Sequence, residues 1–129
     1  MTIKARTGIK RRGERQVPLL DEPPVGFMQA IVLKLLDEMG PEQAYGYNVL
    51  EHITLETGVW IDPGLVYGSI RKLLDKELIE ENGTRPQPNG PPLKLYKVSA
   101  AGRAALKSAF AHYQALADFL NDKRKATRS

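Results

Sequence analysis

Cysteine is absent from the 129 residues, and histidine occurs only twice. Disulfide bridges and thiolate-bound metals are therefore excluded, and nothing points to a disulfide-stapled secreted protein. His52 and His112 fall on different predicted helices, and neither stands near an acidic cluster spaced for a metal ion. The sequence also lacks a glycine-rich phosphate loop and a nucleophile elbow. We expect no enzyme activity, no metal and no cofactor.

Long apolar runs are absent as well, and none approaches the roughly 20 residues that span a bilayer. The basic N-terminus is followed by Pro18, Asp21 and Glu22 instead of the apolar stretch of a secretory signal. The hydrophobic share of 42% and the charged share of 26% are typical of one ordinary globular domain. We expect a cytoplasmic protein with no membrane partner.

Positive charge is concentrated at the two ends of the chain. Residues 1–16 carry six basic side chains and one acidic one, and residues 121–129 carry four basic and one acidic. Residues 17–120 carry nine basic and 13 acidic side chains. Basic arms of this kind favour a polyanionic partner such as nucleic acid, although solvated tails would show the same composition.

Three helices are predicted in the first two thirds of the chain. The first begins near Pro24 and ends at Gly40–Pro41, and the second covers about 44–57 before Gly58. The third runs from Asp62, a good N-cap, to about Lys76. Trp60, in the connector before it, is expected to pack in the core.

The outward face of the third helix carries Gly64, Tyr67, Gly68, Arg71 and Asp75. Each glycine costs roughly 1 kcal/mol in a helix interior, so helix stability does not explain the pair. Close approach of the helix to another surface would explain it. A solvated face with one exposed aromatic is the alternative interpretation.

A β-hairpin and a fourth helix follow. Residues 78–81 and 93–98 read as strands, while 82–92 reads as a loop because it holds Asn82-Gly83, Asn89-Gly90 and four prolines. The fourth helix begins at Ser99, a good N-cap, and continues to about Asp122. Its apolar residues repeat with heptad spacing, which indicates either a dimer seam or packing on its own domain. The seam comprises Leu106, Ala109, Tyr113, Leu116 and Leu120.

Three helices followed by a hairpin and a helix predict a mainly α (α+β) winged helix-turn-helix fold. We expect a basic arm at 1–22, a winged domain at 23–98, and a C-terminal dimerisation helix with a basic tail at 99–129.

At this point the sequence resembles the PadR family of transcriptional regulators. Tyr45-Gly46-Tyr47-Asn48-Val49 is similar to the family's Y-G-Y opening of the second helix, and residues 63–73 are similar to its G-T-L-Y-x-x-L-x-x-L segment. Residues 96–103 are similar to its Y-x-L-T-x-x-G-R segment. The resemblance covers roughly residues 25–120, and MarR-like and other winged-helix regulators are the near alternatives.

Three positions depart from the family pattern. Leu65 stands where the family has threonine, and Glu77 stands where a glycine usually follows the third helix. The wing usually carries adjacent basic residues before its second strand, and here only Lys94 remains. This weakens the expected contact of the wing with phosphate, which the basic arm would replace.

The resemblance implies a dimeric repressor that binds double-stranded DNA at a palindromic operator. The alternative is a winged helix used only for contact with another protein. Arginine reads guanine well, and tyrosine reaches phosphate or a thymine methyl group. The predicted DNA-binding residues are Tyr45, Gly64, Tyr67, Gly68, Ser69, Arg71, Lys72 and Lys94.

In short PadR-like regulators that respond to drugs, the last helix pairs across the dimer, and an aromatic residue near this place lines a pocket. The resemblance therefore suggests a pocket for a small aromatic effector at Phe110 and Tyr113, near Ala109. Simple dimer packing of the same residues is the simpler interpretation.

Overall fold

The computed structural model describes residues 25–122 and confirms the predicted order of elements. The basic arm at 1–22 and the last residues of the basic tail lie outside the described residues. Four helices and a two-stranded antiparallel sheet form a mainly helical winged helix-turn-helix fold. The elements are α1 (Phe27–Glu38), α2 (Gly46–Thr57), α3 (Pro63–Asp75), β1 (Ile79–Arg85), β2 (Leu93–Val98) and α4 (Ala100–Leu120).

The hydrophobic core lies between α1, α3 and the hairpin. Val32 and Leu33 of α1 and Val66 and Leu73 of α3 are fully buried or nearly so, and Ile79 at the start of β1 joins them. These positions recur at helical spacing, so each helix presents one apolar face. Complete burial of such a side chain contributes about 1.5–3 kcal/mol. The core therefore fixes which face of α3 is left outside.

Local capping signals set the ends of α2 and α3. Gly58 closes α2 with left-handed backbone at φ 71°, as glycine tolerates. The Asp62 carboxylate accepts a hydrogen bond from the Gly64 N–H at 3.1 Å, and Pro63 occupies the first turn. The predicted end of α2 at Gly58 and the predicted start of α3 at Asp62 are both confirmed. The first helix begins at Phe27, later than predicted, because Gly26 is still in extended backbone.

The expectation that Trp60 packs in the core is wrong. The connector between α2 and α3 leaves the Trp60 side chain 74% exposed, with Val59 exposed beside it. Ile61 is the half-buried member of this connector, so its side chain faces inward in place of the indole.

The hairpin differs from its prediction at one point. Strand β1 continues through Asn82 and Gly83 to Arg85, where the sequence predicted a loop. The strand pairing shifts register between Glu81 and Thr84, which is a β-bulge, and Gly83 adopts φ 88° there. A bulge accommodates a turn-forming Asn-Gly pair without ending the strand. The loop is therefore confined to residues 86–92.

The C-terminal end of α3 and the start of α4 are tied together. Ser99 caps α4 as predicted, since its Oγ accepts from the Gly102 N–H at 3.0 Å. The same hydroxyl donates to the carbonyl of Glu77 at 3.0 Å, and the Ser99 N–H donates to the carbonyl of Leu78. Gly102 lies so close to Leu78 that a Cβ there would overlap the Leu78 carbonyl oxygen. The end of α3 and the start of α4 are therefore joined directly, at the base of the two wing strands.

Of the described residues, 25–110 form one compact unit, and 111–122 belong to another. In the second unit residues 111–120 complete α4, where His112 and Tyr113 make an edge-to-face ring contact at 5.2 Å. Within residues 25–122, no helix combines the length and the apolar character that crossing a bilayer requires.

Candidate nucleic-acid interface

The outer face of α3 is the exposed side of the second helix of the helix-turn-helix. Tyr67 and Arg71, one turn apart, are both exposed, and Gly64 lies one turn before Gly68. A Cβ at Gly68 would meet no atom within 4 Å, so internal packing does not require this glycine. The predicted arrangement of these four residues on one face is therefore present.

The flanking residues of α3 divide between surface and core. Lys72 is exposed beside Arg71, as predicted. Ser69 is only 7% exposed and lies among the core residues of α3, so the expectation that it flanks the outer face is wrong. Ser69 lies three residues after Val66 and four before Leu73, which places it on the apolar side of the helix. The exposed residue missed beside this face is Leu65, which follows Gly64 in the first turn.

Tyr67 is held against the N-terminal turn of α2. A Cβ on Gly46 would stand 2.5 Å from Tyr67 Cε1 and 3.2 Å from Ile70 Cδ1, so the tyrosine ring occupies the space that any side chain at Gly46 would need. Burial raises the pKa of the Tyr67 hydroxyl, and the nearby Tyr47 hydroxyl adds to this shift. The Tyr-Gly-Tyr segment therefore fixes the orientation of the tyrosine on the outer face of α3.

Tyr96 of β2 joins this group from the wing. Its N–H donates to the carbonyl of Ala44 at 2.9 Å, which ties β2 to the turn before α2. Burial raises the pKa of Tyr96, and the charge of Glu81, its cross-strand partner, and then Tyr67 raise it further. A carboxylate therefore lies at the junction of the wing and α3. Sequence patterns could not show this, because the register decides which residue faces Tyr96.

The wing carries two basic residues near its outer end, of which the sequence indicated one. Lys94 is exposed on β2 opposite Thr84. Arg85 ends β1 opposite Leu93, and it was missed because residues 82–92 read as a loop. Arg85 directly precedes Pro86, and the residue before a proline favours extended backbone, so this was the signal that could have placed it in the strand.

Tyr45 contacts this second basic residue. It is the N-cap of α2 in extended backbone (φ −136°, ψ 159°) and is half-buried. The Arg85 guanidinium lies 5.7 Å from the centre of the Tyr45 ring, within cation–π distance. Arg85 Nη1 also donates to the carbonyl of Glu42 at 3.1 Å.

The predicted seam on α4 is only partly open to a partner. Ala109 has 0% exposure, so it offers no surface to a second protomer, and its place in the seam as a contact is wrong. Leu106, Tyr113 and Leu116 are half-buried, and Leu120 is 78% exposed. Two further aromatic residues of this helix, Phe110 and Phe119, are also exposed.

A cavity at Phe110 and Tyr113 stays a prediction. One cavity of about 450 Å³ lies between the end of α1, the hairpin and the start of α4, where Asp37 and Arg103 pair at 3.7 Å. A second of about 430 Å³ lies between the end of α1 and α2 and includes Asn48 and His52. Neither is lined by Phe110 or Tyr113. Among residues 25–122, no group of three acidic or histidine side chains could hold a metal ion.

A model of the transcriptional regulator PadR-like family matches residues 32–108. The chain belongs to this family. The match covers the Tyr-Gly-Tyr segment, α3, the wing and the first half of α4, so the PadR resemblance inferred from the sequence is confirmed. Comparison with curated protein sequences gives no match.

Solved structures of PadR-like proteins share the fold. A PadR-like regulator from Bacillus cereus is 17% identical with a TM-score of 0.60, over 74% of this chain and 88% of that one. A PadR family regulator from Eggerthella lenta is 22% identical with a TM-score of 0.59, over 79% and 82%. Bacillus subtilis PadR, solved in complex with operator DNA, is 21% identical with a TM-score of 0.55, over 64% and 47%.

Proposed function

We propose that this PadR-like protein is a sequence-specific DNA-binding regulator that reads its operator with the outer face of α3. The observation that carries the proposal is the exposure of Tyr67 and Arg71 on the glycine-lined side of the second helix of a helix-turn-helix. An α-helix fits the major groove of B-DNA, and glycines let its backbone approach the bases. The similar fold of Bacillus subtilis PadR, which was solved with operator DNA, supports this assignment.

Each basic or aromatic side chain has a distinct proposed role. Arg71 donates two hydrogen bonds to the O6 and N7 atoms of a guanine, and Tyr67 contacts a phosphate or a thymine methyl group. Lys72 and Lys94 bind backbone phosphates on either side of the groove. Tyr45 stands at the start of α2, where the helix N-terminus favours a phosphate.

Binding titrations on operator and scrambled duplexes test the proposal, starting with DNA from directly upstream of the gene. Arg71→Ala is expected to cost roughly 1–3 kcal/mol on the operator and much less on the scrambled duplex. Lys107→Ala, at an exposed position of α4, is the matched control and is expected to change neither affinity. If Arg71→Ala and Tyr67→Ala each bind the operator and the scrambled duplex with the affinities of the unaltered protein, α3 is refuted as the reader.

We also propose that the protein acts as a homodimeric repressor on a palindromic operator, paired through α4. Leu120 is the apolar seam residue with the most exposed surface, and burial of such a face stabilises helix association. A two-fold dimer would place two α3 helices about 34–36 Å apart, so the half-sites would lie one turn apart.

Sedimentation tests the dimer. Leu120→Asp is expected to give monomers, because an unpaired carboxylate would be buried in the seam. Asn121→Asp introduces the same charge at the next, exposed residue and is expected to leave the dimer intact. A monomeric unaltered protein would contradict the proposal.

The basic arm at residues 1–16, outside the described residues, is proposed to bind phosphates. Each neutralised phosphate on duplex DNA contributes about −0.9 to the slope of log affinity against log salt concentration. Deletion of residues 1–16 is expected to flatten this slope and to weaken all DNA sequences equally. An unchanged slope would show that the arm does not contact DNA.

A winged helix that binds another protein is the second candidate. It is favoured by the exposed apolar residues around the α2–α3 connector, namely Leu55, Val59, Trp60 and Leu65. Under this alternative, operator and scrambled DNA bind equally weakly, and the same titrations decide between the two.

A further inference from the structure

Within the hairpin itself, little ties the outer half of the wing to the inner half, and the hydrogen bond from Gln87 Nε2 to the Pro91 carbonyl at 2.6 Å lies within the loop. The bulge at Asn82 and Gly83 interrupts the strand pairing, and only Thr84 and Arg85 pair with β2 beyond it. The connecting loop at 86–92 contains four prolines, which cannot donate backbone hydrogen bonds. A short pair of strands beyond a bulge is free to bend unless a contact from outside the hairpin fixes it.

Arg85 supplies such a contact. Its guanidinium donates to the Glu42 carbonyl at 3.1 Å and lies over the Tyr45 ring at 5.7 Å. Both partners belong to the segment that leads into α2, the helix whose first turn holds Tyr67. The inner part of the hairpin reaches the same segment through the hydrogen bond from Tyr96 to Ala44. Arg85 therefore adds a second, outer attachment to the same place.

Lys94 lies next to this attachment. It pairs with Thr84, the residue before Arg85, and its side chain is exposed. A swing of the outer hairpin would move Lys94 along with Arg85, because the two strands are hydrogen-bonded there. The position of the lysine ammonium relative to α3 thus depends on the Arg85 attachment.

We propose that Arg85 is a positioning residue that fixes the outer wing against the start of α2 and so places Lys94 on a DNA phosphate. This role rests on the proposed function. Arg85 itself is committed to a main-chain carbonyl and an aromatic ring, so its effect on DNA binding passes through Lys94.

Amide hydrogen exchange on the full chain without DNA tests the attachment itself. Arg85→Ala is expected to speed exchange of the hairpin amides beyond the bulge and to leave those of α1 and α3 unchanged. Arg85→Lys retains a cation that reaches the Tyr45 ring and the Glu42 carbonyl, so protection is expected to be largely restored. Lys107→Ala, at an exposed position of α4, is the control and is expected to leave the hairpin unchanged. Unaltered hairpin exchange in Arg85→Ala would overturn the proposal.

Salt-dependent DNA titrations test the consequence. Loss of one phosphate contact in each protomer of the proposed dimer lowers the salt slope by about 1.8, which corresponds to roughly a 60-fold weaker affinity at 0.1 M salt. Lys94→Ala and Arg85→Ala are each expected to show this loss, and the double variant is expected to show no more than either one. Arg85→Lys restores most of it.

Other outcomes are distinguishable. A double variant that loses about 3.6 from the slope, two contacts in each protomer, would show that Arg85 holds a phosphate directly, which overturns the positioning role. An unchanged slope in Lys94→Ala would also overturn it, since Arg85 would have no contact to place. Absence of DNA binding by the unaltered protein would refute the proposed function, and the exchange experiment would still report on the attachment.

Discussion

Tyr67 of α3 rests on Gly46 of α2, so closely that a Cβ on the glycine would stand 2.5 Å from Tyr67 Cε1. The two helices of the helix-turn-helix therefore meet where the Tyr67 ring fills the space that a side chain at position 46 would occupy. This contact joins the Tyr-Gly-Tyr segment to the outer face of α3, so a change at either residue affects the other.

Gly46→Ala is expected to lower the free energy of unfolding by about 1–3 kcal/mol, because the methyl group must displace the Tyr67 ring and press on Ile70. In a Tyr67→Ala background the same change is expected to cost less, with a coupling of about 0.5–3 kcal/mol. Urea unfolding of the four proteins measures the coupling. Simple additivity would show that the ring moves aside without resistance.

Gly68→Ala separates stability from recognition. The added methyl group meets nothing within 4 Å, and alanine favours a helix interior over glycine by about 0.5–1 kcal/mol. Thermal melts are expected to show a more stable protein, whereas titrations show weaker operator binding because the methyl group faces the groove. A variant that is more stable and binds the operator with unchanged affinity would mean that α3 does not approach DNA closely at Gly68.

Gly102→Ala is expected to be the most damaging of these glycine substitutions. Its Cβ would overlap the Leu78 carbonyl oxygen and stand 2.8 Å from Val98 Cγ1, and backbone yields less readily than a side-chain tip. We expect a loss of about 1–3 kcal/mol or more in urea unfolding. Ala104→Gly, at an exposed position of the same helix, serves as control and is expected to cost only about 1 kcal/mol.

Glu77→Gly is expected to stabilise the fold. Glu77 closes α3 at φ 60°, a left-handed conformation that costs a residue with a Cβ about 1–2 kcal/mol. Part of this gain is offset because glycine adds about 0.4–1 kcal/mol of unfolded-state entropy. Chemical unfolding should show a net gain of about 0.5–1 kcal/mol. Glu77→Ala keeps the Cβ and is expected to show no such gain; equal stability of the two variants would contradict the explanation.

Glu81→Gln is expected to strengthen binding to all DNA sequences. Glu81 faces Tyr96 across the strands, near enough for its charge to raise the Tyr96 pKa, so it places a negative charge beside the proposed DNA surface. Removal of an exposed like charge is expected to gain about 0.2–1 kcal/mol. Glu80→Gln is the control, because Glu80 points to the other face of the strand beside Lys97 at 3.9 Å. Equal effects of both changes would assign them to net charge alone.

The order of elements, the helix ends and the family were predictable because their signals are local. Asp62 and Pro63 start α3 and Gly58 ends α2 through hydrogen bonds and backbone angles within a few residues of each. The face of α3 that carries Tyr67 and Arg71 followed from helical periodicity for the same reason.

Only the tertiary structure decided which side chains are buried and which distant segments meet. Trp60 is outside and Ser69 inside, against expectation, because exposure depends on what neighbouring elements leave uncovered. Arg85 contacts Tyr45 across forty residues, and Glu81 faces Tyr96, because a bulge and a strand register bring them together. Such pairings depend on non-local packing, which no window of sequence around either residue contains.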